Sequence, residues 1–204
     1  MNRQLLSGTA ALALAAAALL AAPAASAAMT HYHGSFGSDD DQYALSFHLG
    51  ETSAVDARSL SFATGGFAPV FSLFGPGGLM QLAVGSSNTC GGNSGAADAA
   101  TGFCWDAHFS AQLLAGDYTL VLTQDGNLPV GGSPADGFSM TGQPHYTGAW
   151  FLGDDSRSFI NVDGSQRSAD WSFDFGTQTV PEPGTWALMA LAMLALRGTR
   201  RRRA

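Results

Sequence analysis

Three consecutive aspartates, Asp39, Asp40 and Asp41, form the densest group of carboxylates in the sequence. Carboxylate oxygens on a flexible loop are the ligands that Ca²⁺ prefers in proteins. The triplet is therefore a candidate calcium site, and apart from calcium we expect no cofactor. A solvated turn that simply carries three charges is the alternative interpretation, and both stay open at this level.

Histidines offer two further kinds of chemistry. His31 and His33 would share one face of a strand, a spacing that can chelate zinc or copper, but no third ligand is visible and exposed histidines are the favoured interpretation. His48, His108 and His145 could each belong to a scattered Ser/His/Asp triad, since a triad is defined by geometry. The sequence has no lysine, no His-Glu-x-x-His and no Gly-x-Ser-x-Gly, so we expect no enzyme.

Aromatic side chains gather shortly after a long polar stretch. Tyr146, Trp150 and Phe151 could form a flat platform on which a glycan stacks, because aromatic faces bury the C–H surface of sugars. Packing in the hydrophobic core explains Trp150 and Phe151 equally well, and the core interpretation is the favoured one.

Alternating apolar residues predict the elements that must position these side chains. Period-two patterns indicate half-buried strands, separated by glycine-rich turns such as that at 75–78. We expect an all-β fold, a single antiparallel β-sandwich of jelly-roll type, with a long surface loop at 125–148. The predicted strands cover 31–36, 43–49, 55–62, 70–74, 79–84, 105–113, 118–122, 150–152, 159–162 and 171–175.

Cys90 and Cys104 are the only cysteines in the sequence. In an exported protein such a pair usually forms a disulfide, and no Cys-x-x-Cys spacing indicates a metal site or a reactive thiol. We therefore predict a disulfide that closes a glycine-rich loop.

The two ends of the chain predict export. Residues 1–27 have a basic start, an apolar run and a small-residue site, which together indicate a signal peptide that signal peptidase cleaves after Ala27. The C-terminal tail has prolines, then a short apolar helix, then an arginine cluster that would stay on the cytoplasmic side. The predicted membrane anchor comprises Trp186, Leu188, Leu191, Leu194, Leu196 and Arg197.

The tail at 179–204 resembles the PEP-CTERM sorting signal, with Pro181, Glu182 and Pro183 as its motif. The resemblance implies processing by an exosortase, a transient stay in the inner membrane, and release or transfer to the outer surface. The apolar stretch is shorter than the roughly 20 residues that a helix needs to cross a bilayer. The expected architecture is thus an N-terminal signal helix, a sandwich at 28–178 and a C-terminal membrane helix.

Residues 28–178 also resemble an uncharacterised family of PEP-CTERM-tagged sandwich proteins, itself similar to the bacterial pre-peptidase C-terminal domain. The resemblance rests on Ser-Asp-Asp-Asp-Gln at 38–42, on 67–74, on Leu-Ala-Gly-Asp-Tyr-Thr-Leu at 114–120 and on Asp-Gly-Phe at 136–138. It implies a non-catalytic accessory module that in some cases binds calcium or polymer.

Charge narrows the choice of partners. Between residues 28 and 183 the chain has three arginines against sixteen acidic residues, a formal charge of −13, so nucleic acid is a poor partner. We expect a structural or adhesive protein of the cell surface or extracellular matrix, linked to exopolysaccharide. The alternatives are a calcium- or glycan-binding accessory module and a cryptic hydrolase.

Overall fold

The computed structural model describes residues 28–85, 90 and 95–180 of the protein. In this part of the chain lie eight β-strands, one α-helix and one 3-10 helix. The strands are β1 (Ala28–Ser35), β2 (Gln42–Leu49), β3 (Ser53–Ser59), β4 (Pro69–Gly75), β5 (Gly78–Val84), β6 (His108–Leu113), β7 (Gly116–Gln124) and β8 (Asp170–Thr179). The α-helix, α1, spans Tyr146–Leu152, and the 3-10 helix spans Pro134–Asp136.

The strands form two four-stranded antiparallel sheets. The first has the order β1-β8-β3-β6 and the second the order β2-β7-β4-β5. Sequential strands therefore alternate between the sheets over much of the chain, as when two Greek keys wrap around one core. This arrangement fits the predicted jelly roll.

Aromatic side chains from both sheets fill the space between them. Tyr43 packs on Trp171 with ring centroids 4.5 Å apart, and Phe47 packs on Phe175 at 4.8 Å. Trp171 and Phe175 belong to one buried cluster that includes members of six strands, and Tyr43 and Phe47 are partly buried side chains packed against it. Because burying one large apolar side chain contributes about 1.5–3 kcal/mol, this cluster is the main source of the fold's stability.

Two predicted strands are wrong. Residues 150–152 lie at the end of α1, and residues 159–162 are irregular except for a single bridge between Ile160 and Gln166. Phe159 has a φ of 57°, which a strand does not tolerate, and Gly153 ends the helix in the left-handed region. Both apolar runs were too short for periodicity to distinguish strand from helix. The strand predicted from residue 105 begins at His108.

The long loop predicted at 125–148 covers the outer face of the second sheet. Its Phe138 packs in a small buried cluster with Phe74 of β4 and Val121 of β7. As a result β4 is buried on both faces from Pro69 to Phe74. The loop is thus a structural layer as well as a connection, and it contains the 3-10 helix and the start of α1.

The predicted disulfide between Cys90 and Cys104 is present. Cys104 is buried shortly before β6, so the bond ties the preceding loop to the sandwich. Ala27 and the signal segment, the Pro181–Pro183 motif and the anchor residues from Trp186 to Arg197 lie outside the described residues. Among the residues that the structure does describe, no helix has the length and apolarity that a membrane span requires.

Candidate functional site

Asp39, the first residue of the acidic triplet, lies in the protein interior. It is fully buried, and its Oδ2 accepts hydrogen bonds from the Thr147 backbone N–H at 2.8 Å and the Thr147 hydroxyl at 2.6 Å. Its Oδ1 accepts a hydrogen bond from the Phe159 N–H at 2.6 Å. Burial raises the pKa of Asp39, while these hydrogen bonds act in the opposite direction.

These contacts give Asp39 the role of a remote cap. His145 at the start of α1 has no capping side-chain bond, and the Thr147 N–H belongs to the first turn, whose donors a helix cannot satisfy by itself. Asp39 satisfies that donor from a distant loop and holds Phe159 in its left-handed conformation. A single buried carboxylate thus joins α1 to the segment that follows it.

The other two aspartates of the triplet bind different parts of the chain. The Asp40 Oδ2 accepts from the Gly142 N–H at 2.9 Å, whereas the Asp41 Oδ2 accepts from the Gly37 N–H at 2.6 Å. The Asp40 backbone carbonyl also accepts from the Asn127 amide at 3.2 Å. Asp39 and Asp40 therefore fasten the long loop to the sandwich, whereas Asp41 bonds only its neighbours in the chain.

The predicted calcium site at Asp39, Asp40 and Asp41 stays a prediction. Their carboxylates are occupied by separate sets of N–H and O–H donors. Among the described residues, no group of three or more His, Cys, Asp or Glu side chains is placed to hold a metal ion. Calcium at the triplet would have to displace these hydrogen bonds.

Helix α1 presents its aromatic residues in a way that the favoured core interpretation did not expect. Tyr146 is buried, and its hydroxyl donates to the Asp125 carbonyl at 2.7 Å. Trp150 and Phe151 are 51% and 40% exposed. The core interpretation was therefore wrong for Trp150 and Phe151.

A cleft of about 410 Å³ opens beside α1. Its aromatic walls are formed by Trp150 and Phe151 of α1, by Phe67 before β4 and by Trp105 before β6. The Trp105 ring is fixed by Phe103, which stacks on it with centroids 4.5 Å apart and an interplanar angle of 5°. We call this recess the aromatic cleft.

Two buried amide side chains in the wall of the aromatic cleft each have an unused hydrogen-bonding atom. Gln124 is 4% exposed and Asn161 is 7% exposed, and both line the cleft. The Gln124 Oε1 and the Asn161 Nδ2 have no hydrogen-bond partner. Because an unpaired buried polar atom costs about 1–3 kcal/mol, each of these two amides would gain stability from a further hydrogen-bond partner.

The arginine in the cleft wall is fully engaged by the protein. Arg167 forms a buried bidentate pair with Asp98, with Nη1–Oδ2 and Nη2–Oδ1 distances of 3.1 and 3.0 Å. Its Nε donates to the Gly66 carbonyl at 2.9 Å, and its guanidinium lies 4.2 Å from the centre of the Phe62 ring. Although burial disfavours the charged carboxylate, hydrogen bonds from Arg167 and Thr101 lower the pKa of Asp98 to about 2.

Asp125 contributes the unpaired charge of the aromatic cleft. The residue is exposed at the end of β7, and in the described part of the chain no arginine or histidine forms an ion pair with its carboxylate. Desolvation by the surrounding protein raises its pKa. The neighbouring Gly126 packs under the Trp150 ring, because a Cβ there would lie 2.8 Å from that ring.

The five histidines form pairs and not triads. His31, His48 and His108 each bond one aspartate, Asp174, Asp117 and Asp56 respectively, at 2.7–2.9 Å. His145 bonds the Ser158 hydroxyl at 2.7 Å, and His33 lies beside His31 with ring centroids 5.9 Å apart. Within the described chain, no histidine bonds both a serine and a carboxylate.

The family model of the PEP-CTERM protein-sorting motif matches residues 179–203. The chain therefore carries this motif, which includes Pro181, Glu182 and Pro183 and indicates an exported protein that an exosortase processes. A search of the curated proteins finds no match to the chain. The resemblance of 28–178 to the pre-peptidase C-terminal domain stays an interpretation of the sequence.

Sequence reasoning missed most of the aromatic cleft. Gln124 ends β7, whereas Asn161 and the Arg167–Asp98 pair come from loops, and no local spacing relates these residues. One signal was available: Arg167 is one of only three arginines outside the tails, so an acidic partner for it was to be expected.

Proposed function

We propose that this exported protein binds glycan without catalysing a reaction, and that it adheres to exopolysaccharide at the cell surface or in the extracellular matrix through the aromatic cleft. The observation that carries the proposal is the combination of exposed Trp150 and Phe151 with two unpartnered amides in one cleft. Sugars present apolar C–H faces and many hydroxyls, so this pairing of flat rings and amides suits them.

The proposed route to the surface follows from the two ends. Signal peptidase would remove 1–27 after Ala27, leaving the sandwich at 28–178 as the exported domain. The anchor residues from Trp186 to Arg197 would hold the chain transiently in the inner membrane until the exosortase acts near Pro181–Pro183. Release places an acidic sandwich outside the cell, where glycans are abundant.

The absence of a catalytic role is part of this proposal. It is supported by the histidine geometry, since His145 has a serine partner but no carboxylate within hydrogen-bonding distance among the described residues. Failure of the protein to label with a fluorophosphonate probe is the expected result. Labelling at Ser158 would instead favour the hydrolase.

A calcium-binding accessory module is the second candidate, carried by the Asp39–Asp41 triplet. It predicts a higher melting temperature in calcium than in chelator. We expect no such difference, because the three carboxylates already accept hydrogen bonds from the protein.

The glycan proposal is tested by isothermal titration of the processed protein, purified from the exterior fraction of an exosortase-containing host. The probes are hexamers of β-1,4-glucose, N-acetylglucosamine, glucosamine and galacturonic acid. We expect binding to at least one hexamer and a loss of about 10-fold or more in affinity for Trp150→Ala, since a stacking ring contributes on the order of 1.4 kcal/mol.

Leu114→Ala is the matched control, because Leu114 is 71% exposed and does not line the aromatic cleft. The control should bind as the parent does. No binding to any of the four probes, or equal losses for Trp150→Ala and Leu114→Ala, would overturn the proposed function.

A further inference from the structure

The aromatic cleft has a charge that its own residues do not neutralise. Two charged side chains line it, Asp125 and Arg167. The Arg167 guanidinium is paired with Asp98 and bonded to backbone carbonyls, so its donors are directed into the protein. The net charge that a ligand meets in the cleft is therefore that of the Asp125 carboxylate.

The position of Asp125 connects this charge to the stacking surface. Its carbonyl is held by the Tyr146 hydroxyl at 2.7 Å, and the next residue, Gly126, lies directly under the Trp150 ring. Gly126 has a φ of 93° and no side chain, which permits this close approach. Because Asp125 and Trp150 line the same cleft, a sugar stacked on Trp150 would share this recess with the Asp125 side chain.

The ligand that covers this carboxylate must compensate its desolvation. A neutral sugar leaves the carboxylate with hydroxyl contacts only, and an anionic sugar adds like-charge repulsion. An ammonium group offers an opposite charge and also interacts favourably with the face of Trp150. The formal charge of −12 on residues 28–178, which have three arginines and fifteen acidic residues, further favours approach of a cationic polymer.

We infer that the aromatic cleft recognises a glycan that bears an amine, such as a de-N-acetylated amino sugar, and that Asp125 determines this specificity by pairing with the ammonium group. Trp150 supplies the stacking face, and Gln124 and Asn161 bond ring hydroxyls after rotation of their terminal amides. This inference rests on the proposed function, because it names the ligand class of the same cleft.

Two probes with the same backbone test the inference. The hexamers of glucosamine and N-acetylglucosamine differ in whether the nitrogen is cationic, and titration at mildly acidic pH keeps the amine protonated. A bound ammonium group also favours the charged form of Asp125. We expect the processed protein to bind the glucosamine hexamer about 10-fold or more tightly than its acetylated counterpart.

Asp125→Asn is the decisive variant, because it removes the charge and keeps the shape of the side chain. It should abolish the preference for glucosamine and leave the melting temperature unchanged. Asp117→Asn is the matched control, since Asp117 is 91% exposed in its side chain and lies outside the aromatic cleft. The control should keep the preference.

Each other outcome overturns the inference in a recognisable way. If both hexamers bind equally and Asp125→Asn does not change their binding, the role of the amine is refuted. The proposed glycan function would still stand. If Asp125→Asn and Asp117→Asn weaken the preference for glucosamine equally, the preference comes from the overall charge of the protein and not from Asp125. Failure of every hexamer to bind would remove the proposed function and the inference together.

Discussion

Two recesses on the sandwich differ in size and chemistry. The larger, about 530 Å³, is an open groove along the second sheet, bordered by His48 and Asp117, whose polar atoms bond each other at 2.7 Å. The aromatic cleft is smaller, about 410 Å³, but it has exposed rings and unpartnered amides. The difference teaches that exposed aromatic rings and polar atoms without hydrogen-bond partners identify a candidate site better than cavity volume does.

The two recesses also differ in how they are supported. The open groove is lined mostly by residues of β2, β4 and β7, with Gly132–Pro134 of the long loop at one side, and the carboxylate in its lining, Asp117, is exposed. The aromatic cleft is built from loops and one short helix, held by two buried carboxylates, Asp39 and Asp98. Variants of those carboxylates and their partners should therefore affect the cleft strongly, and variants in the groove should have little effect.

The largest effect is expected for Arg167→Leu. It leaves the Asp98 carboxylate buried without its partner, which typically costs about 3–5 kcal/mol of unfolding free energy. Denaturant unfolding measures the loss. Asp117→Asn is the control in the groove and should cost at most about 1 kcal/mol, because its ion pair is exposed. Equal losses would mean that the cleft is not the region that depends on buried charge.

Asp39→Ala should be next in size. It leaves the N–H groups of Thr147 and Phe159 buried without an acceptor, at about 1–3 kcal/mol for each unsatisfied group. We also expect altered tryptophan fluorescence, since α1 carries Trp150. Asp41→Ala is the control, because its carboxylate bonds only neighbouring residues. A fully stable Asp39→Ala protein would contradict the proposed capping role.

Most of the sandwich was predictable from the sequence because strand periodicity is local. The alternation of Tyr43, Leu45 and Phe47 predicted the inward face of β2 correctly, and these side chains pack against the core cluster. The disulfide was predictable because the sequence has one pair of cysteines. Each of these inferences needs only a few neighbouring residues or a count.

The aromatic cleft was not predictable because its geometry depends on contacts between distant residues. The Asp39–Thr147 bond spans 108 positions, and it helps convert an apolar run that reads as a strand into a helix with exposed aromatics. The sequence indicated that the aspartate triplet and Trp150 were notable. It could not show that Asp39 of the triplet helps to hold the helix that exposes Trp150.

Acid should weaken the contribution of the Arg167–Asp98 pair. The pKa of Asp98 is about 2 in the folded protein, below the usual 3.8, so the pair stabilises the fold above about pH 4. This contribution is lost as pH falls from about 4 to about 2. The pKa of Asp39 is raised, so its own contribution to stability changes with pH in the opposite direction. Arg167→Leu retains Asp39, and the difference in stability between the parent protein and this variant therefore isolates the Arg167–Asp98 pair.

The stability difference between the parent protein and Arg167→Leu should therefore shrink as pH falls through that range. Urea unfolding at a series of pH values measures it. A difference that stays constant down to about pH 2 would show that the pair contributes through packing and not through charge.

The smallest effect is expected for His48→Ala in the open groove. Its side chain is 68% exposed and its partner Asp117 is 91% exposed, so the change should cost at most about 0.5 kcal/mol and leave glycan binding intact. Melting and titration with the glucosamine hexamer measure both quantities. Loss of glycan binding in His48→Ala would mean that the glycan binds in the open groove and not in the aromatic cleft.

The central claim is that glycan binds in the aromatic cleft, and the tryptophan indole N–H signals in a ¹⁵N correlation spectrum test it most directly. Trp105 and Trp150 line the cleft, whereas Trp171 is buried in the core. Titration with the glucosamine and N-acetylglucosamine hexamers should shift the Trp105 and Trp150 signals, assigned through Trp→Phe variants, and leave Trp171 in place. Binding that leaves the Trp105 and Trp150 signals unmoved, or no shift with either hexamer, would contradict the account.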